Sequence, residues 1–234
     1  MTEPLLEIEN LAFAWPGDSA PVIGALNLRV ERGQRVFLAG ASGSGKSTLL
    51  ALIGGLVTPA QGNIRFAGRD LAALSRTARD RFRADHLGVI FQQFNLLPWL
   101  DGVANARLGC QFSPARRERA GDIEGAAREL LAAMGLAPDR WTRRADALSV
   151  GQQQRVAAAR ALIGQPDLVL ADEPTSALDA DRRDDFVELL FAQAERAGSA
   201  ILFVSHDRAL ADRFDLTLEL ADINQASAAA GAAA

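Results

Sequence analysis

The sequence predicts an α/β fold: a parallel sheet flanked by helices, with a β-rich N-terminal edge and an inserted, mainly helical subdomain. Three observations predict it. Val36 to Ala39, Leu168 to Ala171 and Ile201 to Val204 are continuous apolar runs, the pattern of parallel strands covered on both faces. A helix-compatible stretch from about Ala180 to Arg196 separates the last two and supplies a βαβ crossover. Near the N-terminus Leu11, Phe13 and Trp15 alternate, as do Leu26, Leu28 and Val30, so strands with one buried face come first.

The remaining elements follow in order. The turn-rich stretch from Pro16 to Pro21 separates the two alternating strands, and Arg32-Gly33 turns the chain into the first apolar run. Ile64 and Phe66 mark a short strand that ends at Ala67-Gly68-Arg69. Ser75 to Asp85 is charged and compatible with a helix, and Gly88 to Phe91 is a short apolar strand. Ile123, Ala126, Ala127, Leu130, Leu131 and Met134 recur at helical spacing, so Asp122 to Met134 is an amphipathic helix, with Gly135 as its C-terminal cap. Gln152 to Ile163 is a helix with Val156, Ala159, Leu162 and Ile163 on its inner side. The helical insert runs from about residue 94 to 160, within one domain over residues 1–222. Residues 223–234 are of low complexity and expected to be disordered. From Ser227 on they are rich in Ala and Gly, with no pattern to pack.

Composition excludes several classes. The 234 residues carry a net charge of -4, so no global basic footprint points to nucleic acid. Cys110 is the single cysteine, which rules out a disulfide within the chain; it reads as a small buried hydrophobe. Met1 to Glu9 carries acids and does not read as a signal peptide. No run approaches the roughly 18 apolar residues a membrane span needs, so the chain is expected to reach a membrane only through a partner.

The nonapeptide Gly40 to Thr48, GASGSGKST, sits between an apolar strand and an apolar helix start. Its glycines Gly40, Gly43 and Gly45 allow a tight turn whose N–H groups converge on an anion, reinforced by the helix N-terminus. Lys46 supplies a full charge to the β- and γ-phosphates, and the Ser47 hydroxyl suits Mg²⁺. The pattern arises by chance roughly once in a hundred chains of this length, and the correct flanks make chance rarer still. The chain therefore binds a nucleoside triphosphate. Asp172 and Glu173 end the second apolar run, where two acids are costly unless a cation waits. Asp172 would hold Mg²⁺, and Glu173 would polarise the attacking water. His206 follows the third run and could reach the γ-phosphate. Ser149 opens a helix, so its hydroxyl and the free N–H groups behind it make a second anion site.

With these residues in place the sequence resembles the ATP-binding-cassette (ABC) ATPases, from Leu5 to about Leu220. Six motifs occur in that family's order: Walker A Gly40 to Thr48, including Ser42; Q-loop Gln92; signature Leu148 to Gln152, with Ser149, Gly151 and Gln152; Walker B Leu168 to Glu173; D-loop Ser176 to Asp179; and switch His206. The resemblance implies a P-loop NTPase fold with a RecA-like core, an antiparallel β-subdomain and an α-helical subdomain. It implies ATP and Mg²⁺ as cofactors, with Ser47, Gln92 and Asp172 at the metal and Glu173, His206 and Gln92 in catalysis. It also implies a head-to-tail dimer with a second copy of the chain, each ATP lying between one Walker A and the other signature. Trp15 matches the position where the family stacks an aromatic ring on adenine; the alternative is a core residue at a strand end. Val150 departs from the usual LSGGQ by replacing its first glycine. A β-branched residue there implies an ordinary helical φ with the N–H still available.

Leu87 to Leu100 resembles the Q-loop region of the MacB/LolD/FtsE-like group. That resemblance implies a separate integral-membrane permease with a large external domain, reached from the cytoplasmic face of the inner membrane, and through it a periplasmic adaptor or binding protein. Phe94, Leu96, Leu97, Pro98 and Trp99 read either as a groove for the permease or as subdomain core. A non-transport ABC ATPase of FtsE-like type is the alternative function. A P-loop kinase or GTPase is disfavoured by the signature, the D-loop and His206.

Overall fold

The computed structural model describes residues 3–18 and 20–226. In chain order the elements are β1 (Leu6–Phe13), β2 (Ile23–Val30), β3 (Arg35–Ala39), α1 (Lys46–Ile53), β4 (Gln61–Phe66), β5 (Arg69–Asp70), α2 (Arg76–His86), β6 (Leu87–Ile90), α3 (Gly102–Gln111), α4 (Pro114–Ala120), α5 (Ile123–Ala133), α6 (Val150–Leu162), β7 (Leu168–Asp172), α7 (Ala180–Ala197), β8 (Ala200–Ser205), β9 (Leu216–Glu219) and α8 (Leu220–Ile223). The antiparallel sheet has the order β2-β1-β4-β5, and the parallel sheet the order β6-β7-β8-β3-β9. The expected β-rich edge, parallel core and helical insert are therefore all present.

The central strands β3, β7 and β8 are apolar along most of their length because each face is buried in a different core. Phe37, Ala39, Val169, Ala171, Ile201 and Phe203 face the helical side, with α3, α5, α6 and α7. Val36, Leu38, Leu168, Leu170, Leu202 and Val204 face the β-layer, with α1 and α2. Alternation with period two assigns one set to each side.

Several boundaries moved for physical reasons. The first strand ends at Phe13, and Trp15 lies beyond it with 40% of its surface exposed. The helix expected from Gln152 starts at Val150, because Ser149 caps it: Ser149 Oγ accepts from Gln152 N–H at 3.4 Å, and Gln152 Oε1 accepts from Ser149 N–H at 3.0 Å. Within the expected disordered tail, Ile223 packs against the β-side core and Asn224 is buried. Ile223 ends α8, and the Asn224 amide accepts from Gly24 N–H at 2.8 Å and donates to the Val22 carbonyl at 2.9 Å. One short polar side chain satisfies a strand entry that would otherwise leave backbone groups unpaired. Ser227 to Ala234 lie outside the described residues. Cys110 is buried among the helices, as expected, and burial pushes its thiol pKa up. Among the described residues no helix is long and apolar enough to cross a membrane.

Candidate nucleotide site

The site lies at the carboxyl ends of β3, β7 and β8. Gly43 (φ +78°) and Gly45 (φ +103°) hold the left-handed backbone that only glycine adopts cheaply. A Cβ on Gly45 would also come within 3.0 Å of Val22 Cγ1. Gly45 is the N-cap of α1 and offers no side-chain cap, so the first N–H groups of the helix stay available. Lys46 is nearly buried; its Nζ donates to the Gly40 carbonyl at 2.7 Å and to the Ala41 carbonyl at 2.9 Å, and lies 3.5 Å from Glu173 Oε1.

The two acids diverge, as adjacent residues at a strand end should. Ser47 Oγ donates to Asp172 Oδ2 at 3.1 Å. Burial pushes the Asp172 pKa above the usual carboxylate range; the Ser47 hydrogen bond opposes this and the neighbouring Glu173 adds to it. Glu173 itself holds a left-handed φ of +46°, fixed by its N–H donating to the Val204 carbonyl at 2.9 Å. That twist turns its carboxylate away from Asp172 and toward His206, whose Nδ1 lies 2.8 Å from Glu173 Oε2. Glu173 is 8% exposed, while the His206 side chain is largely open to solvent.

One cavity of about 580 Å³ brings together Trp15, Ser42, Gly43, Gly45, Lys46, Ser47, Thr48, Gln92, Asp172, Glu173 and His206, with Val22 as a wall the sequence did not single out. Gly40 adjoins it through the carbonyl that Lys46 holds. Trp15 stands on the cavity wall and is not a core residue. It packs edge-on against Phe13 at 5.1 Å, donates from Nε1 to Thr48 Oγ1 at 3.3 Å, and lines the cavity.

A nucleoside triphosphate with Mg²⁺ fits these residues. Among the described residues the one buried side-chain polar atom without a partner is Ser44 Oγ, inside the phosphate loop. Gly40 leaves room beside it, since a Cβ there would come within 2.8 Å of that oxygen. For the metal, one hydroxyl and one carboxylate are the sparse donor set Mg²⁺ uses when phosphate and water complete its shell. Among the described residues no cluster of three or more His, Cys, Asp or Glu offers an all-protein cage.

The signature residues are elsewhere. Ser149, Gly151 and Gln152 line a separate cavity of about 410 Å³ with Leu178 and Arg182, and Asp179 caps α7 beside them by accepting from Arg182 N–H at 3.0 Å. Val150 opens α6, is not among the positive-φ residues and is 50% exposed, in keeping with the ordinary helical φ expected of it. The apolar stretch after the Q-loop is divided. Phe94 and Leu96 join the helical core, while Leu97 lines a broad, largely apolar groove of about 1190 Å³ with the exposed Phe91 and Phe112.

With this geometry in view, residues 23–176 match the ABC transporter family. The chain belongs to that family. It is 40% identical over 228 residues to a macrolide export ATP-binding/permease protein MacB of Rhodopseudomonas palustris strain HaA2, and 39% identical over 224 residues to one of Burkholderia cenocepacia strain HI2424. Each match covers 95% of this chain but only 34% and 32% of those relatives, so the chain spans about a third of their length. Among solved structures it resembles the ATP-binding cassette MJ0796, described as a dimer in a post-hydrolysis state bound to ADP and Pi. The TM-score is 0.81 at 31% identity over 92% of this chain and 93% of that one. The chain is thus an ABC ATPase cassette, a RecA-like core with antiparallel and helical subdomains.

Proposed function

We propose that the chain binds and hydrolyses MgATP as a head-to-tail homodimer and drives an integral-membrane permease of MacB/LolD type from the cytoplasmic face of the inner membrane. The observation that carries this reading is the separation of the two half-sites. The phosphate cavity and the signature turn lie in different cavities of one chain, so a second cassette must bring its signature turn over the first one's nucleotide, and this chain carries both halves that a second copy of itself would supply. The apolar groove with Phe91, Leu97 and Phe112 suits an amphipathic permease segment.

In this reading Ser47, Asp172 and Gln92 would hold Mg²⁺, which would offset the charge of the phosphates when bound. Lys46 and the α1 N–H groups hold the phosphates, and Trp15 stacks on the base. Glu173 orients the attacking water, with His206 fixing its carboxylate from the other side. Ser149 and Gly151 of the second copy stabilise the charge that develops. Gln152 braces that turn, and Asp179 anchors α7 beside it.

The test is Glu173→Gln with MgATP. Turnover is expected to fall at least ~100-fold with ATP still bound. The chain should then elute at twice its 24.9 kDa mass. A saturated variant that stays monomeric would overturn the sandwich, and near-normal hydrolysis would remove Glu173 from its role.

A further inference from the structure

The last turn of α6 grips the backbone that follows Gln92. Arg160 Nη1 donates to the Asn95 carbonyl at 2.6 Å, and Nη2 donates to the Phe94 carbonyl. Phe94 and Asn95 are consecutive non-glycine residues in the left-handed region, at φ +58° and +47°. Their turn is tightened by Phe94 N–H donating to the Phe91 carbonyl at 2.9 Å and Asn95 N–H to the Gln93 carbonyl at 2.6 Å. A bulky aromatic holds such a conformation only where its surroundings over-determine it. Here the buried Phe94 ring is one constraint and the guanidinium fork the other. Burial lowers the Arg160 pKa, and the two carbonyls it donates to offset that cost of burying the cation.

The same helix is fixed at its end and functional at its start. Arg116 donates to the Ile163 carbonyl at 2.8 Å, the Ala161 carbonyl at 2.7 Å and the Leu87 carbonyl at 3.0 Å, joining the end of α6 to β6. Ser149 and the signature stand at the other end, roughly 20 Å away for a helix of 13 residues. Gln92, two residues before Phe94, is on the wall of the nucleotide cavity.

We propose that Arg160 is a positioning residue whose fork sets where Gln92 stands against the metal-bound nucleotide and ties that position to the signature helix. One nucleotide would thereby be linked, through Gln92, Arg160 and α6, to the signature turn that serves the other. The proposal rests on the MgATP reading above.

A double-mutant cycle on the full chain tests it, with Arg160→Met and Gln92→Ala. Calorimetry reads the Mg²⁺ affinity of the ATP-saturated protein, the ATP affinity without metal, and the melting temperature. Arg160→Met should weaken Mg²⁺ about fivefold and leave metal-free ATP affinity within about twofold; in the Gln92→Ala background it should cost less than about twofold more. Arg160→Lys keeps the charge without the fork, guards against misfolding of the methionine variant, and should recover only part of the loss. Unchanged Mg²⁺ affinity, or penalties that add in full, would overturn the proposal while leaving the nucleotide reading intact. A wild-type chain that binds no ATP would overturn both.

Discussion

Two helix N-termini in this molecule solve opposite problems. α1 begins at Gly45, with no side-chain cap, so its N–H groups are left to a ligand and the geometry rests on glycine backbone and on Lys46. α6 begins at Ser149, inside a complete capping box with Gln152, so its first turn holds its own shape. A phosphate enclosed by one chain can meet donors that its own loop holds open, through glycine backbone and Lys46. A phosphate presented by another molecule needs a turn that is already formed when it arrives. An anion site can thus be built either by leaving donors unsatisfied or by fixing a few of them in place.

The largest expected effect breaks the α6 side alone. Gly151→Asp should abolish turnover, because a carboxylate about 4 Å from a phosphate costs about 4 kcal/mol at an effective dielectric near 20, a factor near 1000. A Cβ at Gly151 meets only Leu178 Cδ2, at 3.8 Å, so the loss is one of charge and not of space. ATP binding to the P-loop should persist; if titration shows it lost too, the two sites are not separate. Next, Gly45→Ala attacks the α1 side. The left-handed φ and the contact with Val22 should weaken ATP about tenfold or more in a direct binding assay. Unchanged affinity would mean the loop does not need that conformation. Val150→Gly then sharpens the contrast. A first turn held by its cap should lose less than about tenfold in ATPase rate and about 1 kcal/mol or less in stability by thermal melting.

The smallest effect compares the two ends of β7. Burial pushes Asp167 up, but the His86 hydrogen bond at 2.7 Å and the charges of His86, Arg119 and Arg32 hold its pKa below the usual value. Asp172, at the other end, is raised. The signs therefore differ. Asp167 contributes stability that is present above its unfolded pKa and lost as pH falls through the folded one. Asp172 contributes stability that is present below its unfolded pKa and lost as pH rises through the folded one. Without nucleotide at pH 7, Asp167→Asn should lower the melting temperature and Asp172→Asn should raise it, each by about 1–3 °C. Both differences should shrink toward pH 3, and shifts of the same sign would refute the assignment.

What the residues disclosed depended on how local the signal was. The apolar runs of β3, β7 and β8 and the periodic α5 declared themselves, because burial on fixed faces leaves a pattern. α3 did not: GVANARLGCQ carries two glycines and little periodicity, and its start is fixed by Asp101 capping Ala104 N–H at 2.7 Å. α4 did carry a signal, Ser113 before Pro114, which is a cap followed by the proline that suits a first helical position. The phosphate-loop motif was legible residue by residue, since it is contiguous, and the structure brings it together with Asp172 and Glu173. The left-handed backbone of Phe94, Asn95 and Glu173 was not. Each such conformation costs about 1–2 kcal/mol and is imposed by distant partners such as Arg160 and Val204, which no local pattern encodes. The Asn224 bracket is of the same kind, since its partners lie 200 and 202 residues back in the chain.

The parallel sheet has one more consequence. Its odd and even positions share no residue: Phe37 and Phe203 belong to the helices, Leu38 and Val204 to the β-layer. It is therefore a party wall between two tenants. The helical tenant, with its signature turn, can be refurbished through one set of side chains, while the other set keeps the phosphate loop seated. A slip of β7 by a single residue would evict both at once, exchanging the two sets and carrying Asp172 out of reach of Ser47.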